Sequence, residues 1–250
     1  MNKIMKRRPV IMIVMSVVAL VVCFVLFEVL YVKYSGSAVP APTIARSTQT
    51  IGTGPNLTYV VMGDSTAIAQ GGNYAQGYAE ASAQHLAKHN TVHWKNLAVS
   101  GARANDVLAT QIPQAVAMHP DVALIAVGAN DVTHATSPSS VRESLEGAIA
   151  GLRHANPAIK VVLTGSPDMG SVPRFAQPVR WYAGVRTQQL NKTIEAMATQ
   201  LHVTFAPVAS QTGPTFRKHP ELFAADKFHP TDAGYKLWIP VINTALDTAR

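Results

Sequence analysis

The chain of 250 residues is long enough for one compact domain with a short appendage, and its 48% hydrophobic content is typical of a globular protein rather than a disordered one. Its formal charge of +7 is concentrated before residue 51, because the remainder carries 15 Lys and Arg against 13 Asp and Glu, a balance of +2. We therefore expect no nucleic-acid partner for the folded part.

The first predicted element is a long apolar segment close to the N-terminus. Residues 9–32 read PVIMIVMSVVALVVCFVLFEVLYV, and about 24 residues of helix suffice to cross the hydrocarbon core of a bilayer. The segment is longer than the apolar core of a cleaved signal sequence, so we predict a retained transmembrane anchor within residues 1–34. A signal sequence cleaved within residues 35–38 stays open as the alternative.

Charge and cysteine usage around this segment indicate where the rest of the chain lies. A basic cluster precedes the apolar run, and only Lys33 follows it closely. By the positive-inside rule the N-terminal stub is then cytoplasmic, and the folded domain is extracytoplasmic, or secreted if the helix is cleaved. The single cysteine, Cys23, lies inside the run, which excludes an intramolecular disulfide and a cysteine nucleophile in the folded domain.

Residues 35–56 form the next segment and read SGSAVPAPTIARSTQTIGTGPN. They are rich in Ser, Thr, Gly, Pro and Ala and have no hydrophobic period, so we predict a flexible linker. The folded domain is predicted to span residues 57–250.

Short apolar runs alternate with helix-like stretches throughout this domain. The helical stretches carry apolar residues at three- and four-residue spacing, as in Val141, Leu145 and Ala148. The predicted strands are 57–62, 92–99, 121–127, 160–164 and 203–208, and the predicted helices are 75–89, 104–118, 139–154, 179–200 and 233–248. This alternation predicts an α/β fold with a five-stranded parallel sheet covered on both faces. In such sheets the ligand site lies at the carboxyl ends of the strands.

Small polar segments follow three of these strands, at the end of the sheet where a site is expected. They are Gly63-Asp64-Ser65-Thr66, Ser100-Gly101-Ala102-Arg103 and Gly128-Ala129-Asn130-Asp131, and a fourth, Asp226-Lys227-Phe228-His229-Pro230, comes late in the chain. Each alone has an ordinary structural explanation, since a serine after a strand often caps a helix, and Gly101 or Asn130 suits a tight turn.

Together the four segments contain the parts that ester hydrolysis by a serine requires. A serine hydroxyl needs a neighbouring imidazole to remove its proton, and the imidazole needs an acid that fixes its tautomer. Ser65, His229 and Asp226 can fill these roles. The oxyanion of the tetrahedral intermediate needs preorganised donors, which the backbone amides of Ser65 and Gly101 and the side-chain amide of Asn130 can supply.

The four blocks resemble those of the SGNH hydrolases, also called the GDSL family of esterases and lipases, over residues 57 to about 240. GANDVT resembles the family's Gly-x-Asn-Asp pattern, and DKFHPTDAGY resembles its Asp-x-x-His-Pro pattern followed by Gly-Tyr. The resemblance implies a three-layer α/β/α sandwich of flavodoxin-like type, with Ser65 as nucleophile, His229 as base and Asp226 as its acid partner. It also implies Gly101 and Asn130 as oxyanion donors beside the Ser65 amide. We expect that the reaction needs no metal and no organic cofactor.

One position departs from the family pattern, because Thr66 stands where the family name has leucine. That position does no chemistry, so activity is still expected. The segment 63–67 has no second glycine and therefore lacks the Gly-x-Ser-x-Gly elbow of the α/β-hydrolases. Asp64 and Asp131 are interpreted as structural carboxylates that fix the turns.

Other features of the domain have ordinary explanations. His85 and His89 lie four apart on a predicted helix, but no carboxylate or cysteine completes a metal-binding pattern, so we predict no metal site. Trp181 and Tyr182 begin a predicted helix and either pack in the core or line the substrate pocket.

The predicted activity is hydrolysis of carboxylic esters through a Ser65 acyl-enzyme, on a lipid-type ester or an O-acetylated glycan. The N-terminal helix favours either substrate, since it holds the enzyme near lipids and cell-wall polymers. An acyltransferase on the same residues, and a catalytically inactive module that binds carbohydrate or lipid, are the alternatives.

Overall fold

The computed structural model of the chain describes residues 3–34, 39–45 and 47–249. Helix α1, Lys3–Tyr34, contains the apolar segment, and no part of its window Val10–Phe27 is buried inside the protein. By length and composition this window can cross a membrane. Residues 1–2 of the predicted stub, and residues 35–38 and 46 of the predicted linker, lie outside the described residues.

Six strands form the central sheet of the domain. They are β1 (Gln49–Ile51), β2 (Asn56–Gly63), β3 (Thr91–Asn96), β4 (Val122–Ala126), β5 (Lys160–Leu163) and β6 (Thr204–Phe205). Their spatial order is β1-β3-β2-β4-β5-β6, and every neighbouring pair is parallel except β1 with β3. The five predicted parallel strands are confirmed. The strand order reverses direction beside β2, which is where doubly wound sheets bind their ligands.

Helices cover both faces of the sheet, which confirms the predicted three-layer sandwich. They are α2 (Tyr78–Leu86), α3 (Ala104–Asp106), α4 (Ile112–Val116), α5 (Ala129–Thr133), α6 (Pro138–Ala155), α7 (Val179–Gln200), α8 (Val208–Lys218) and α9 (Asp232–Asp247), and a π-helical turn, Val107–Gln111, joins α3 to α4. α9 packs against α2 and α8 in one layer, and α6 packs against α3, α4 and α7 in the other.

The sheet is buried because its central strands are apolar along their whole length. All five residues of β4, VALIA, are buried, and α6 buries Val141, Leu145 and Leu152 in the core. A strand without polar alternation has no face suited to water, so it needs a helical layer on each side. The predicted apolar spacing of α6 is confirmed.

The structure differs from the predicted elements in several places. The predicted strand 203–208 is a strand of two residues, and α8, which begins at Val208, was not predicted because it contains Gly213 and Pro214, two residues that disfavour a helix. The short helix α5 was not predicted, because its five residues, ANDVT, are too few to show a helical period.

The packed domain also includes residues that the sequence pattern assigns to the linker. Ile44 is buried in the core, β1 pairs with the edge of β3, and the carbonyl of Val39 accepts a hydrogen bond from Gln70 Nε2 at 2.7 Å. Asn56 is already the first residue of β2. The predicted linker was not assigned to the domain because its small polar residues show no hydrophobic periodicity. Its contacts with the domain depend on partners that are distant in sequence.

Candidate active site

The turn after β2 presents Ser65 at the carboxyl end of the sheet. Gly63 ends the strand with a φ of +151°, and a Cβ there would collide with the carbonyl oxygen of Ala126 on β4. Glycine is therefore required at this close approach. The Asp64 amide donates to the Ala126 carbonyl at 3.2 Å, and the Gln70 amide donates to the Ser65 carbonyl at 3.0 Å. These bonds hold the backbone on both sides of the Ser65 side chain.

Ser65, His229 and Asp226 lie in one hydrogen-bonded row. Ser65 Oγ is 3.0 Å from His229 Nε2, and His229 Nδ1 is 2.6 Å from Asp226 Oδ2. The side chains of His229 and Asp226 are 12% and 4% exposed, so the row is largely shielded from bulk water. Three predicted site residues, two of them from the segment before α9 and one from the turn after β2, are thus brought together.

The surroundings of Asp226 determine which nitrogen of the imidazole carries a proton. Burial alone would raise the pKa of Asp226, but hydrogen bonds from the His229 ring and from the backbone amides of Phe228 (2.9 Å) and His229 (3.0 Å) outweigh burial and hold this pKa below its usual value. An ionised carboxylate can only accept hydrogen bonds, so the proton lies on His229 Nδ1. Nε2 is then an acceptor that faces the Ser65 hydroxyl, as a general base must be.

The segments after β3 and β4, the two strands beside β2, are braced against each other. Asn130 donates from Nδ2 to the carbonyl of Ala102 at 3.1 Å, and the Asp131 carboxylate accepts a bond from the Ala104 amide at 3.1 Å. Within the described part of the chain this is the one bond that Asn130 Nδ2 makes, so its second N–H can donate to a ligand. Gly101 has a φ of +84° and open space where a Cβ would project.

Asp64 is buried behind the nucleophile turn. Its Oδ1 accepts bonds from the Thr66 amide (2.9 Å) and the Thr66 hydroxyl (2.8 Å), and that hydroxyl also lies 2.9 Å from the hydroxyl of Tyr78. Burial raises the pKa of Asp64 to about 6, although the bonds from Thr66 and the charge of His229 oppose the shift. Thr66, the departure from the family name, therefore supplies polar contacts that a leucine lacks.

The raised pKa of Asp64 predicts a pH-dependent effect of Asp64→Asn on stability. The carboxyl stays protonated up to about pH 6 in the folded protein but ionises near 3.8 in the unfolded chain, so wild type loses stability as the pH rises between these values. Asparagine keeps the acceptor oxygen and cannot ionise. The free energy of unfolding of the variant minus that of wild type should increase by about 2 to 3 kcal/mol from pH 4 to pH 8. Urea unfolding at the two pH values measures this difference. The same difference at both pH values would contradict the shift.

A buried glutamine that the sequence motifs do not mark holds the end of β2. Gln111 Oε1 accepts a bond from the Gly63 amide (2.8 Å), and Gln111 Nε2 donates to the Gly63 carbonyl (2.9 Å). Gln111 is the last residue of the π-helical turn, a kind of irregularity that often occurs near functional sites. The only sequence signal was a glutamine on the apolar side of the predicted helix 104–118.

One cavity adjoins the hydrogen-bonded row, and a second shares Phe228 with it. The smaller, about 30 Å³, is lined by Ser65 and His229 with apolar side chains such as Val172 and Phe216. The larger, about 860 Å³, begins at Phe228, whose ring centroid is 5.0 Å from that of His229. We refer to the larger cavity as the Trp181 groove, and its lining includes Val132, Ala135, Phe175, Val179, Trp181 and Tyr182.

The exposure of Trp181 and Tyr182 excludes one of their two predicted roles, which were packing in the core and lining the substrate pocket. Trp181 is 65% exposed and Tyr182 is 49% exposed, so packing in the core is the wrong alternative for both. The loop before them is held by Arg180, which donates to the carbonyls of Phe175 (2.7 Å) and Pro173 (2.9 Å). The two rings therefore stand on a supported segment at the mouth of the groove.

Comparisons with known proteins identify the family of the chain. Residues 61–237 match the model of the GDSL-like Lipase/Acylhydrolase family. A GDSL-like esterase of Mycobacterium tuberculosis is 29% identical in an alignment of 227 positions that covers 84% of this chain and 71% of that relative.

Solved structures share the fold at lower identity. A lipase from a goat rumen metagenome has a TM-score of 0.62 and 16% identity, over 76% of this chain and 97% of the lipase. A catalytic mutant of an acetylxylan esterase from Geobacillus stearothermophilus has a TM-score of 0.57 and 19% identity, over 78% of this chain and 96% of the esterase. The family model spans residues 61–237, most of the folded domain, and the chain therefore belongs to the GDSL-like lipase/acylhydrolase family and is a carboxylic ester hydrolase.

Proposed function

We propose that the protein is a membrane-anchored, extracytoplasmic serine esterase that cleaves carboxylic esters through a Ser65 acyl-enzyme. The observation that carries this proposal is the row Ser65–His229–Asp226, with contact distances of 3.0 and 2.6 Å. A hydroxyl facing an imidazole that is oriented by a carboxylate is the arrangement that general-base activation of a serine requires.

Acylation begins when the Ser65 oxygen attacks the carbonyl carbon of the ester and His229 Nε2 takes the hydroxyl proton. The imidazolium that forms is stabilised by Asp226, whose lowered pKa keeps it ionised. The proton then passes from Nε2 to the alcohol oxygen as the bond between that oxygen and the carbonyl carbon breaks. The products of this half-reaction are an acyl-serine and the free alcohol.

Negative charge develops on the former carbonyl oxygen during both half-reactions. We assign its stabilisation to the backbone amides of Ser65 and Gly101 and to the second amide hydrogen of Asn130. The bond from Asn130 to the Ala102 carbonyl supports this assignment, because it joins two of the donor segments before substrate arrives. Donors that are already oriented need no reorganisation as the charge forms.

Deacylation repeats the proton transfers with water as the nucleophile, and it releases the acid and restores Ser65. A sugar or alcohol that replaced water would make the same residues an acyltransferase. The two activities differ in their products when an acceptor is present, so product analysis separates them.

The proposed location and the candidate substrates rest on different observations. The apolar window Val10–Phe27 supports anchoring, and the basic cluster before it supports an extracytoplasmic domain. Lipid-type esters and O-acetylated glycans are the candidate substrates, and the structural relatives include both a lipase and an acetylxylan esterase.

Labelling with a fluorophosphonate tests the proposed chemistry, because the reagent reacts with activated serines. Full-length protein in detergent should form one adduct, on the peptide that contains Ser65, and His229→Ala should abolish it. Absence of an adduct on folded wild type would contradict the proposal and favour an inactive binding module. A screen from acetyl to long-chain esters, with acetylated sugars and added alcohols, then determines the acyl and alcohol preferences.

A further inference from the structure

Few large apolar side chains outside α1 are exposed. In the described residues outside that helix, the exposed large hydrophobic side chains are Val99 (48%), Trp181 (65%) and Tyr182 (49%). Trp181 and Tyr182 are adjacent at the start of α7, at the mouth of the Trp181 groove. Contiguous exposed apolar surface commonly marks a contact with another apolar phase or partner.

The Trp181 groove is continuous with the helix proposed to span the membrane. Val25, near the C-terminal end of the window Val10–Phe27, lines the groove together with Phe175 and Trp181. None of its described lining residues is a carboxylate, and Arg174 adds a positive charge. The groove therefore lies level with the end of the apolar window and presents no carboxylate to lipid phosphates.

The connection between α1 and the domain is short. α1 ends at Tyr34, and the carbonyl of Val39 already accepts a hydrogen bond from Gln70 Nε2 at 2.7 Å. Five Cα steps separate Tyr34 from Val39, so even a fully extended chain spans only about 18 Å between them. The Gln70 amide in turn donates to the Ser65 carbonyl at 3.0 Å. The attachment point of the anchor thus adjoins the nucleophile turn.

We propose that the catalytic face docks on the bilayer that holds α1, with Trp181 and Tyr182 in the boundary between headgroups and acyl chains. This rests on the anchoring stated in the proposed function. Both rings suit that boundary, because each combines an apolar body with a polar N–H or O–H. Phe228 lines both the Trp181 groove and the small cavity that Ser65 and His229 line. An ester in the adjacent leaflet then reaches Ser65 without crossing bulk water, which makes membrane-embedded esters the substrate class.

The tryptophan content of the chain makes this docking measurable. Of its three tryptophans, Trp94 and Trp238 are buried (1% and 4% exposed), whereas Trp181 is 65% exposed. Full-length protein is reconstituted in nanodiscs of phosphatidylcholine and phosphatidylglycerol, with or without bromine on the acyl chains close to the headgroups. Bromine quenches at short range, so wild type should lose the emission of one of its three tryptophans, and Trp181→Phe should lose none.

A reporter at the opposite end of the sheet provides the matched control. Lys160 is exposed at the amino end of β5, whereas the site lies at the carboxyl ends of the parallel strands. Lys160→Trp in the Trp181→Phe background should give bright, unquenched emission in brominated discs. Unquenched wild type, or a Lys160→Trp reporter quenched as strongly as Trp181, would overturn the docking proposal.

Two further measurements separate this proposal from the one on which it rests. Resistance of the protein to carbonate extraction from vesicles tests the anchor, and fluorophosphonate labelling of Ser65 tests the chemistry. Anchored, labelled protein without Trp181 quenching means that the docking is wrong and the esterase stands. Trp181 quenching without labelling supports the docking and contradicts the proposed chemistry.

Discussion

Ser65→Ala is expected to lower kcat/KM for a water-soluble ester by about 10⁴- to 10⁶-fold, the range for loss of a serine nucleophile. The Ser65 oxygen forms the acyl bond, and without it His229 Nε2 has no hydroxyl to deprotonate. Ser65 is 5% exposed and the change removes one oxygen atom, so the fold should persist. Hydrolysis of a chromogenic ester gives the kcat/KM, and thermal unfolding checks that the variant is folded.

Ser210→Ala provides the control for this variant. Ser210 is exposed on α8 and donates its hydroxyl to the Pro207 carbonyl at 3.2 Å. Its kcat/KM should equal that of wild type within error. A folded Ser65→Ala protein that keeps the activity of the Ser210→Ala control would show that Ser65 is not the nucleophile.

The second large effect is expected for Asp226→Asn, which should lower kcat/KM by about 10³- to 10⁴-fold. Asp226 Oδ1 accepts the amides of Phe228 and His229, so an asparagine keeps its oxygen there and turns its NH₂ towards His229 Nδ1. An NH₂ group can only donate, so Nδ1 becomes the acceptor and the ring proton moves to Nε2. A protonated Nε2 cannot take the proton of Ser65. The wrong tautomer, rather than lost packing, is thus the expected cause.

Asp247→Asn is the matched control for that substitution. Asp247 also contacts a histidine, with its Oδ1 2.7 Å from His85 Nε2, but its side chain is 61% exposed. Activity of this variant should be unchanged. If both Asn variants retain wild-type kcat/KM, the carboxylate of Asp226 does not orient the base.

The parts of the fold that could be predicted are those whose pattern of apolar residues lies within one strand or one helix. The unbroken apolar run of β4 and the spacing of buried residues in α6 depend only on neighbouring positions, so they are visible in the sequence. α8 was missed because Gly213 and Pro214 disfavour a helix in an isolated sequence. β1 was missed because three residues, Gln49–Ile51, form a strand only against the edge of β3.

Around the candidate site, contacts between residues close in sequence could likewise be predicted, and contacts between distant residues could not. Asp226 and His229 are three residues apart, so a single turn presets their bond, and the short motifs after β2, β3 and β4 are recognisable without a structure. The two bonds from Gln111 to Gly63 join residues 48 apart, and no local pattern indicates them. The exposure of Trp181 likewise depends on which surfaces the other elements cover.

The amino-acid sequence by itself determined the α/β class, the family motifs and the identity of the candidate residues, because these depend on short-range periodicity and on small motifs. Only the tertiary structure decided that Ser65 Oγ lies 3.0 Å from His229 Nε2 across 164 residues, that Gln70 ties Val39 to the nucleophile turn, and that Trp181 faces outward. Such contacts are set by how the helices pack on the sheet, which no local stretch of sequence encodes.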